Sequence, residues 1–96
     1  MRDTLTILAE LFIERQRQES KWGRQNHLPE GWLAILGEEF GEVSKAICEF
    51  RLQNRFSAGP EIRYELIQVA AVAVAMIECY DRQQWWALNH TEAIKK

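Results

Sequence analysis

The chain has 96 residues, a formal net charge of −2 and an apolar fraction of 47%. This length allows one domain, residues 1–96, and excludes two; a domain of this size is only marginally stable alone, so we expect a homodimer or homotetramer. The slightly acidic balance argues against a nucleic-acid-binding protein, which normally presents a basic face.

Three features predict a cytoplasmic protein that does not enter a membrane. Met1 is followed by Arg2 and Asp3 rather than by an apolar segment, which predicts no signal peptide. Cys48 and Cys79 form no CxxC motif, so free thiols in a reducing compartment are favoured over a disulfide. The longest apolar run, 66–77, is shorter than the roughly 20 residues that cross a bilayer, which predicts a buried helix.

A first helix is predicted from the N-terminus to about Lys21. Asp3 or Thr4 can cap its start, and Gly23 ends it. The apolar residues that recur at helical spacing on its amphipathic face are Leu5, Leu8, Ala9 and Phe12.

A second helix is predicted from Pro29 or Glu30 to about Arg55, after the loop WGRQNHLPEG. On a helical wheel its core face holds Trp32, Leu36, Val43, Ile47 and Phe50. A separate stripe holds only small residues, namely Gly37, Gly41, Ser44 and Cys48. Because glycine weakens a helix, this stripe predicts that another helix approaches closely there.

A third helix is predicted from about Pro60 to Arg82, after the break at Ser57 and Gly59. Its nearly continuous apolar surface and its alanines predict that it is the central helix. A short fourth helix or ordered tail is predicted from Trp85, Trp86, Leu88 and Ile94. The chain is therefore expected to be all-α, a compact bundle of three main helices plus a short C-terminal one.

The polar face of the second helix admits an ordinary explanation. Glu38, Glu42, Lys45 and Glu49 share this sector, where Glu42–Lys45 and Lys45–Glu49 ion pairs on a solvated face would account for them.

Two other glutamates lie where a charge is unfavourable. Glu39 falls at about 100° on the wheel, beside Trp32 and inside the apolar arc. Glu65 shares a face of the third helix with Val72 and Met76. An unpaired carboxylate at either place would lose hydration, so each needs a cation. The oxygen ligands favour Mg²⁺ or Mn²⁺ over zinc, and a buried Glu–Arg pair is the alternative.

The two acidic segments resemble a known family. The pattern Glu38-Glu39-x-x-Glu42, followed on the next helix by Glu65-x-x-Gln68, resembles the EExxE and ExxD motifs of the MazG-like α-helical nucleoside triphosphate pyrophosphohydrolases. The His27-Leu28-Pro29 element before the second helix adds to this resemblance, which covers most of the chain. It implies hydrolysis of the α–β phosphoanhydride bond of a (deoxy)nucleoside triphosphate to monophosphate and pyrophosphate, in the house-cleaning of nucleotide pools.

The resemblance also implies roles for individual residues. Glu39, Glu42 and Glu65 would be Mg²⁺ ligands. Glu38 fills a position that supports the metal ligands, binds a second metal or orients the attacking water, and we expect the last of these roles. Gln68 stands where the family has an aspartate. Its amide oxygen is still a ligand that Mg²⁺ accepts, so Gln68 would bind the metal directly, act through a water, or mark a weakened enzyme.

The loop before the second helix holds the predicted substrate-binding residues. Trp22 could stack on a base and Gln25 could read its edge, while Lys21 could reach the phosphates. The resemblance places His27 at the nucleotide. A core position for Trp22 and a turn role for His27 are the structural alternatives.

A second function class stays open beside the enzyme. A non-catalytic helical module that binds a nucleotide or a partner would explain Gln68, and it would be indifferent to Mg²⁺. A carboxylate-bridged di-iron bundle is set aside, because neither His27 nor His90 follows a glutamate by three residues.

Overall fold

The computed structural model describes residues 3–88, which form three α-helices and two short 3-10 turns and no strand. Helix α1 spans Thr4–Trp22, α2 spans Pro29–Arg51 and α3 spans Gly59–Gln83. The 3-10 turns are Phe56–Ala58 and Trp85–Ala87. The predicted all-α class is confirmed.

The start and end of α1 follow the predicted signals. The Asp3 carboxylate accepts a hydrogen bond of 2.9 Å from the backbone N–H of Thr6, which satisfies one of the free donors of the first turn. Gly23 has φ +73°, a backbone conformation that favours glycine, and its N–H closes the last turn on the carbonyl of Glu19.

Helix α2 ends four residues before the predicted Arg55. Its last residue is Arg51, and Asn54 adopts a left-handed conformation with φ 55°. Asparagine tolerates this conformation better than most residues, so the chain turns there. Arg55 then folds back, and its guanidinium lies 2.8 Å from the carboxylate of Glu49.

Helix α3 is the central element, as predicted, because it packs against both α1 and α2. The main buried cluster joins α2 to α3 and comprises Trp32, Val72, Ala75 and Cys79. Leu36 and Trp85 pack against this cluster. On the predicted core face of α2, Val43 is also buried, whereas Ile47 is exposed, so that position was assigned wrongly.

Helix α1 leaves its apolar stripe exposed, and Leu8 and Phe12 border an open groove between α1 and α3. Leu5, Leu8 and Phe12 are all exposed, Phe12 by 62%. The side facing α3 is polar instead: Arg63 makes two hydrogen bonds of 2.7 and 2.9 Å to Glu10, and Arg15 donates to Glu78. The apolar stripe of this amphipathic helix therefore remains uncovered by residues 3–88.

The small-residue stripe of α2 is likewise uncovered. A methyl group placed at Gly37 or Gly41 would meet no atom within 4 Å, and Ser44 and Cys48 are exposed. The prediction of a closely packed helix at this stripe is therefore wrong within the described part of the chain.

The C-terminal prediction is met in part. Trp85 opens a 3-10 turn and packs on the core, whereas Trp86 is exposed. Ile94 and His90 lie outside the described residues. None of the helices within residues 3–88 combines the length and apolar character that a bilayer crossing requires.

Candidate functional site

Glu39 lies partly buried on α2, at the unfavourable position that the sequence predicts. Burial, followed by the negative charges of Glu42 and Glu38, raises the pKa of its carboxyl. Within residues 3–88 Glu39 forms no ion pair.

Glu65 meets the same conditions on α3. Burial, followed by the charges of Glu39 and Glu42, raises the pKa of its carboxyl. The acidic residues of α2 and α3 are therefore close enough to repel one another across the helix interface. No arginine pairs with Glu39 or Glu65 in the described part of the chain, so the alternative of a buried Glu–Arg pair is wrong there.

The outer part of this acidic face is solvated. Glu38 and Glu42 are exposed, and a small cavity of about 170 Å³ lies between α2 and α3. The residues that line this cavity are Glu42, Lys45, Ala46, Glu49, Arg55, Glu61 and Glu65. The predicted Lys45 ion pairs do not form, because Glu49 pairs with Arg55 instead.

The acidic residues are neighbours without being gathered into a coordination shell. Within residues 3–88, no three side chains of aspartate, glutamate, histidine or cysteine lie close enough together to form a ready metal site. Repulsion among Glu39, Glu42 and Glu65 opposes such a shell, and only a cation could offset it. The metal assignment stays a prediction.

A cavity of about 210 Å³ lies among the three helices and the α1–α2 loop. Its walls bring together four residues that the sequence assigned to the site from different segments: Trp22, Gln25, Glu39 and Gln68. The other lining residues are Arg15, Gln18, Glu19, Gly23, Trp32, Ile35, Val72, Ala75 and Arg82. We call this space the inter-helix cavity.

The loop is held to α3 by Arg82. Its guanidinium donates hydrogen bonds of 3.1 and 2.8 Å to the side-chain oxygen of Asn26 and one of 3.1 Å to the carbonyl of Gln25. These bonds keep Gln25 at the cavity, which gives Arg82 a positioning role that the sequence did not reveal.

His27 and Lys21 do not line the inter-helix cavity. The ring of His27 packs edge-on against Trp32, with centroids 4.9 Å apart, and its Nε2 is buried without a hydrogen bond. Lys21 is exposed, with its Nζ 4.8 Å from the ring centroid of Trp22. The structure therefore brings Trp22 and Gln25 to the cavity and leaves Lys21 at its outer edge.

A polar network on the inner side of α1 joins the cavity wall to α3. Arg15 donates a hydrogen bond of 2.9 Å to the side-chain oxygen of Gln18. The Gln18 amide nitrogen lies 3.1 Å from a carboxylate oxygen of Glu14 and 3.3 Å from the side-chain oxygen of Gln68. Gln18 and Gln68 are each only 8% exposed, and both line the cavity.

Sequence reasoning missed Arg15 and Gln18. Both lie in the polar segment ERQRQES, where every residue is consistent with a solvated surface. The available signal was that the apolar stripe of α1 ends at Phe12, so that polar side chains continue the same helix beyond it.

Comparison of the chain with protein-family models, with curated proteins and with solved structures finds no match in any of the three.

Proposed function

We propose that the chain is a Mg²⁺-dependent nucleoside triphosphate pyrophosphohydrolase, with Mn²⁺ as a substitute metal, that releases monophosphate and pyrophosphate. The observation that carries the proposal is the mutual repulsion of partly buried carboxylates on two helices. Burial and each other's charges raise the pKa values of Glu39 and Glu65, and neither has a cationic partner among residues 3–88. Such an arrangement destabilises the folded chain, and carboxylates in this condition are typical of functional sites.

The acidic face suits a divalent metal in charge and in ligand type. Glu39, Glu42 and Glu65 would hold the ion, and carboxylate oxygens are the donors that Mg²⁺ prefers. Such an ion neutralises phosphate charge and lowers the pKa of a bound water. Glu38 is exposed on the same helix and would orient the attacking water.

The inter-helix cavity supports a nucleotide as the substrate. Its lining combines the metal-side residue Glu39 with Trp22 and Gln25, an aromatic ring and an amide. Rings stack on bases, and amides can read a base edge. Lys21, next to Trp22, would meet the outer phosphates, and His27 would support the site by packing on Trp32.

A non-catalytic nucleotide- or partner-binding module is the second candidate. One observation favours it: the oxygen of Gln68, which stands at the family's aspartate position, already accepts from Gln18. In such a module the acidic face would not require Mg²⁺.

The uncovered faces support a homo-oligomer as the active form. The exposed apolar side chains of α1 include Leu5, Leu8 and Phe12, of which Leu8 and Phe12 border an open groove between α1 and α3. A contiguous apolar face of this kind marks an interaction surface. A second copy of the chain is the proposed occupant, in a homodimer or homotetramer. Both cysteines are free, as suits the cytoplasm.

The test is a panel of ribo- and deoxynucleoside triphosphates incubated with purified protein and Mg²⁺, with pyrophosphate and monophosphate quantified separately. Glu39→Gln and Glu65→Gln are expected to reduce turnover by about 100-fold or more, because each removes a charge that would hold the metal. Glu30→Gln is the matched control, since Glu30 is exposed at the start of α2. Release of pyrophosphate that is abolished by EDTA supports the enzyme. Nucleotide binding without turnover, in Mg²⁺ and in Mn²⁺, would replace it with the binding module.

A further inference from the structure

The orientation of the Gln18 amide is fixed by its charged neighbours. Arg15 Nη1 lies 2.9 Å from one end of this amide, and a guanidinium can only donate hydrogen bonds. That end must therefore be the oxygen, Oε1. The nitrogen of Gln18 then faces Glu14 at 3.1 Å and Gln68 at 3.3 Å, and its two hydrogens serve these two acceptors.

The orientation of Gln68 follows from that of Gln18. Because the Gln18 nitrogen donates, the end of Gln68 that meets it must be the acceptor, Oε1. The Gln68 oxygen is thus engaged, and the group left over is the N–H donor at Nε2. A nitrogen donor cannot ligate Mg²⁺. The order of donors and acceptors from Arg15 through Gln18 to Gln68 therefore argues against a metal-ligand role for Gln68.

The Nε2 atom of Gln68 is buried and makes no hydrogen bond. The indole N–H of Trp32 is in the same condition, and Trp32 is only 3% exposed. Both residues line the inter-helix cavity. Buried donors without partners are rare and unfavourable, so these two indicate a ligand that brings acceptor atoms.

Glu14 is the other candidate acceptor for Gln68. Its pKa is lowered, first by the hydrogen bond from Arg17 and to a smaller degree by Gln68 and Gln18. Its carboxylate already accepts hydrogen bonds from Arg17 and Gln18, and the Gln68 nitrogen, although near enough to lower this pKa slightly, makes no hydrogen bond of normal geometry to it. Glu14 does not line the cavity, so a ligand there need not displace it.

The remaining lining favours a base over a phosphate as that ligand. The two cations in the cavity wall are already engaged, Arg15 by Glu19 and Glu78, and Arg82 by the loop. The carboxylates of Glu19 and Glu39 in the same wall would repel a phosphate, and a volume of about 210 Å³ is small for a whole nucleotide. An apolar surface on which a ring can pack is supplied by Trp32, Ile35 and Val72. A flat, largely apolar ring with acceptors on its edge matches this lining.

We propose that Gln68, held in orientation by Gln18, donates a hydrogen bond to the carbonyl oxygen at position 4 of a pyrimidine or position 6 of a purine and does not ligate the metal. This inference rests on the proposed function. Uracil, thymine and guanine carry a carbonyl oxygen where cytosine and adenine carry an amino group, which can only donate. The site therefore selects keto bases over amino bases, since an amino group would face a second donor.

The test measures nucleotide binding and metal binding separately on the full chain. Affinities for α,β-methylene analogues of dUTP and dCTP are measured with Mg²⁺ present, and Mn²⁺ affinity is measured by electron paramagnetic resonance without nucleotide. Wild type is expected to bind the dUTP analogue about tenfold more tightly or better, the range of one buried hydrogen bond. Gln68→Met is expected to lose this preference while its Mn²⁺ affinity stays within about twofold.

The double variant Glu14→Gln/Gln18→Glu supplies a second, independent arm, in which the change at position 14 prevents two carboxylates from meeting at 3.1 Å. A carboxylate at position 18 keeps the hydrogen bond from Arg15 but can only accept from Gln68. Gln68 must then turn its nitrogen toward residue 18 and present its oxygen instead. We expect the preference to reverse toward the dCTP analogue, an effect that loss of packing would not produce.

Two results would overturn the inference. Weaker Mn²⁺ binding in Gln68→Met, by about tenfold or more, would make Gln68 a metal ligand. Equal binding of the two analogues by wild type would remove the keto selection but leave the proposed function standing. Failure of wild type to bind either analogue or any other nucleotide would refute the proposed function itself, and this inference with it.

Discussion

Replacing Glu39 by glutamine should raise the stability of the metal-free protein at neutral pH. The substitution keeps the shape of the side chain and removes a charge whose pKa is raised by burial and then by Glu42 and Glu38. Like charges one turn apart on a helix destabilise by ~0.2–0.5 kcal/mol, and Glu65 adds repulsion from α3, so we expect a gain of about 0.5–1 kcal/mol. For a domain of this size the gain corresponds to about 2–8 °C in Tm.

The pH dependence of this gain has a defined sign. A carboxyl whose pKa is raised in the folded state favours folding in its protonated form, and that contribution is lost as pH rises through the raised pKa. Wild type and Glu39→Gln should therefore have similar stabilities below the ordinary pKa of 4.5 and should diverge above it. Thermal unfolding followed by circular dichroism in EDTA, from pH 4 to pH 8, measures the difference.

Magnesium should reverse the order of the two proteins. At a concentration ten times its Kd, a ligand that binds only the folded state stabilises by about 1.4 kcal/mol, or about 6–11 °C here. Wild type should show this rise in Tm, and Glu39→Gln should show less than a quarter of it. Glu30→Gln, on the same helix, should behave as wild type. A wild-type Tm that does not respond to Mg²⁺ or Mn²⁺, or a Glu39→Gln variant less stable than wild type in EDTA, would refute the reasoning.

Two further predictions concern the uncovered face of α1 and the buried thiol. Phe12→Glu should dissociate the homo-oligomer in size-exclusion chromatography with light scattering, whereas Gln53→Glu, which adds the same charge at an exposed position after α2, should not; an unchanged mass would place the interface elsewhere. Cys79 is fully buried and Cys48 is exposed, so a thiol reagent should label only Cys48 at once; equally fast labelling of both would contradict the packing of the α2–α3 core.

Helical periodicity was sufficient to predict the three helices and the central position of α3. The same argument singled out Glu39 and Glu65, because a charge inside an apolar arc is visible without knowledge of the fold. The end of α2 was missed because the turn at Asn54 depends on a left-handed backbone conformation. Several other residues between Arg51 and Pro60 could have stopped the helix, and no pattern in the sequence favoured Asn54 over them.

The polar wall of the inter-helix cavity could not be predicted. Gln18 lies on α1 and Gln68 on α3, and their contact depends on how far one helix is shifted along the other. A single sequence carries no record of that shift. Arg82 was missed for the same reason, since its partners lie in a loop far away in sequence. The resemblance pointed to Gln68 only as a departure from a metal ligand.

Helix α1 links the proposed specificity of the site to the proposed assembly. Its inner side supplies Arg15 and Gln18, which set the orientation of Gln68, while Leu8 and Phe12, which border the same groove as Arg15, are exposed. Ion pairs such as Arg63–Glu10 and Arg15–Glu78 join α1 to α3, and exposed or partly exposed pairs are weak. Burial of the exposed apolar side chains by a partner subunit would add to these contacts. A subunit that holds α1 in place would also hold Gln18, and with it the orientation of Gln68 that the proposed base selection requires.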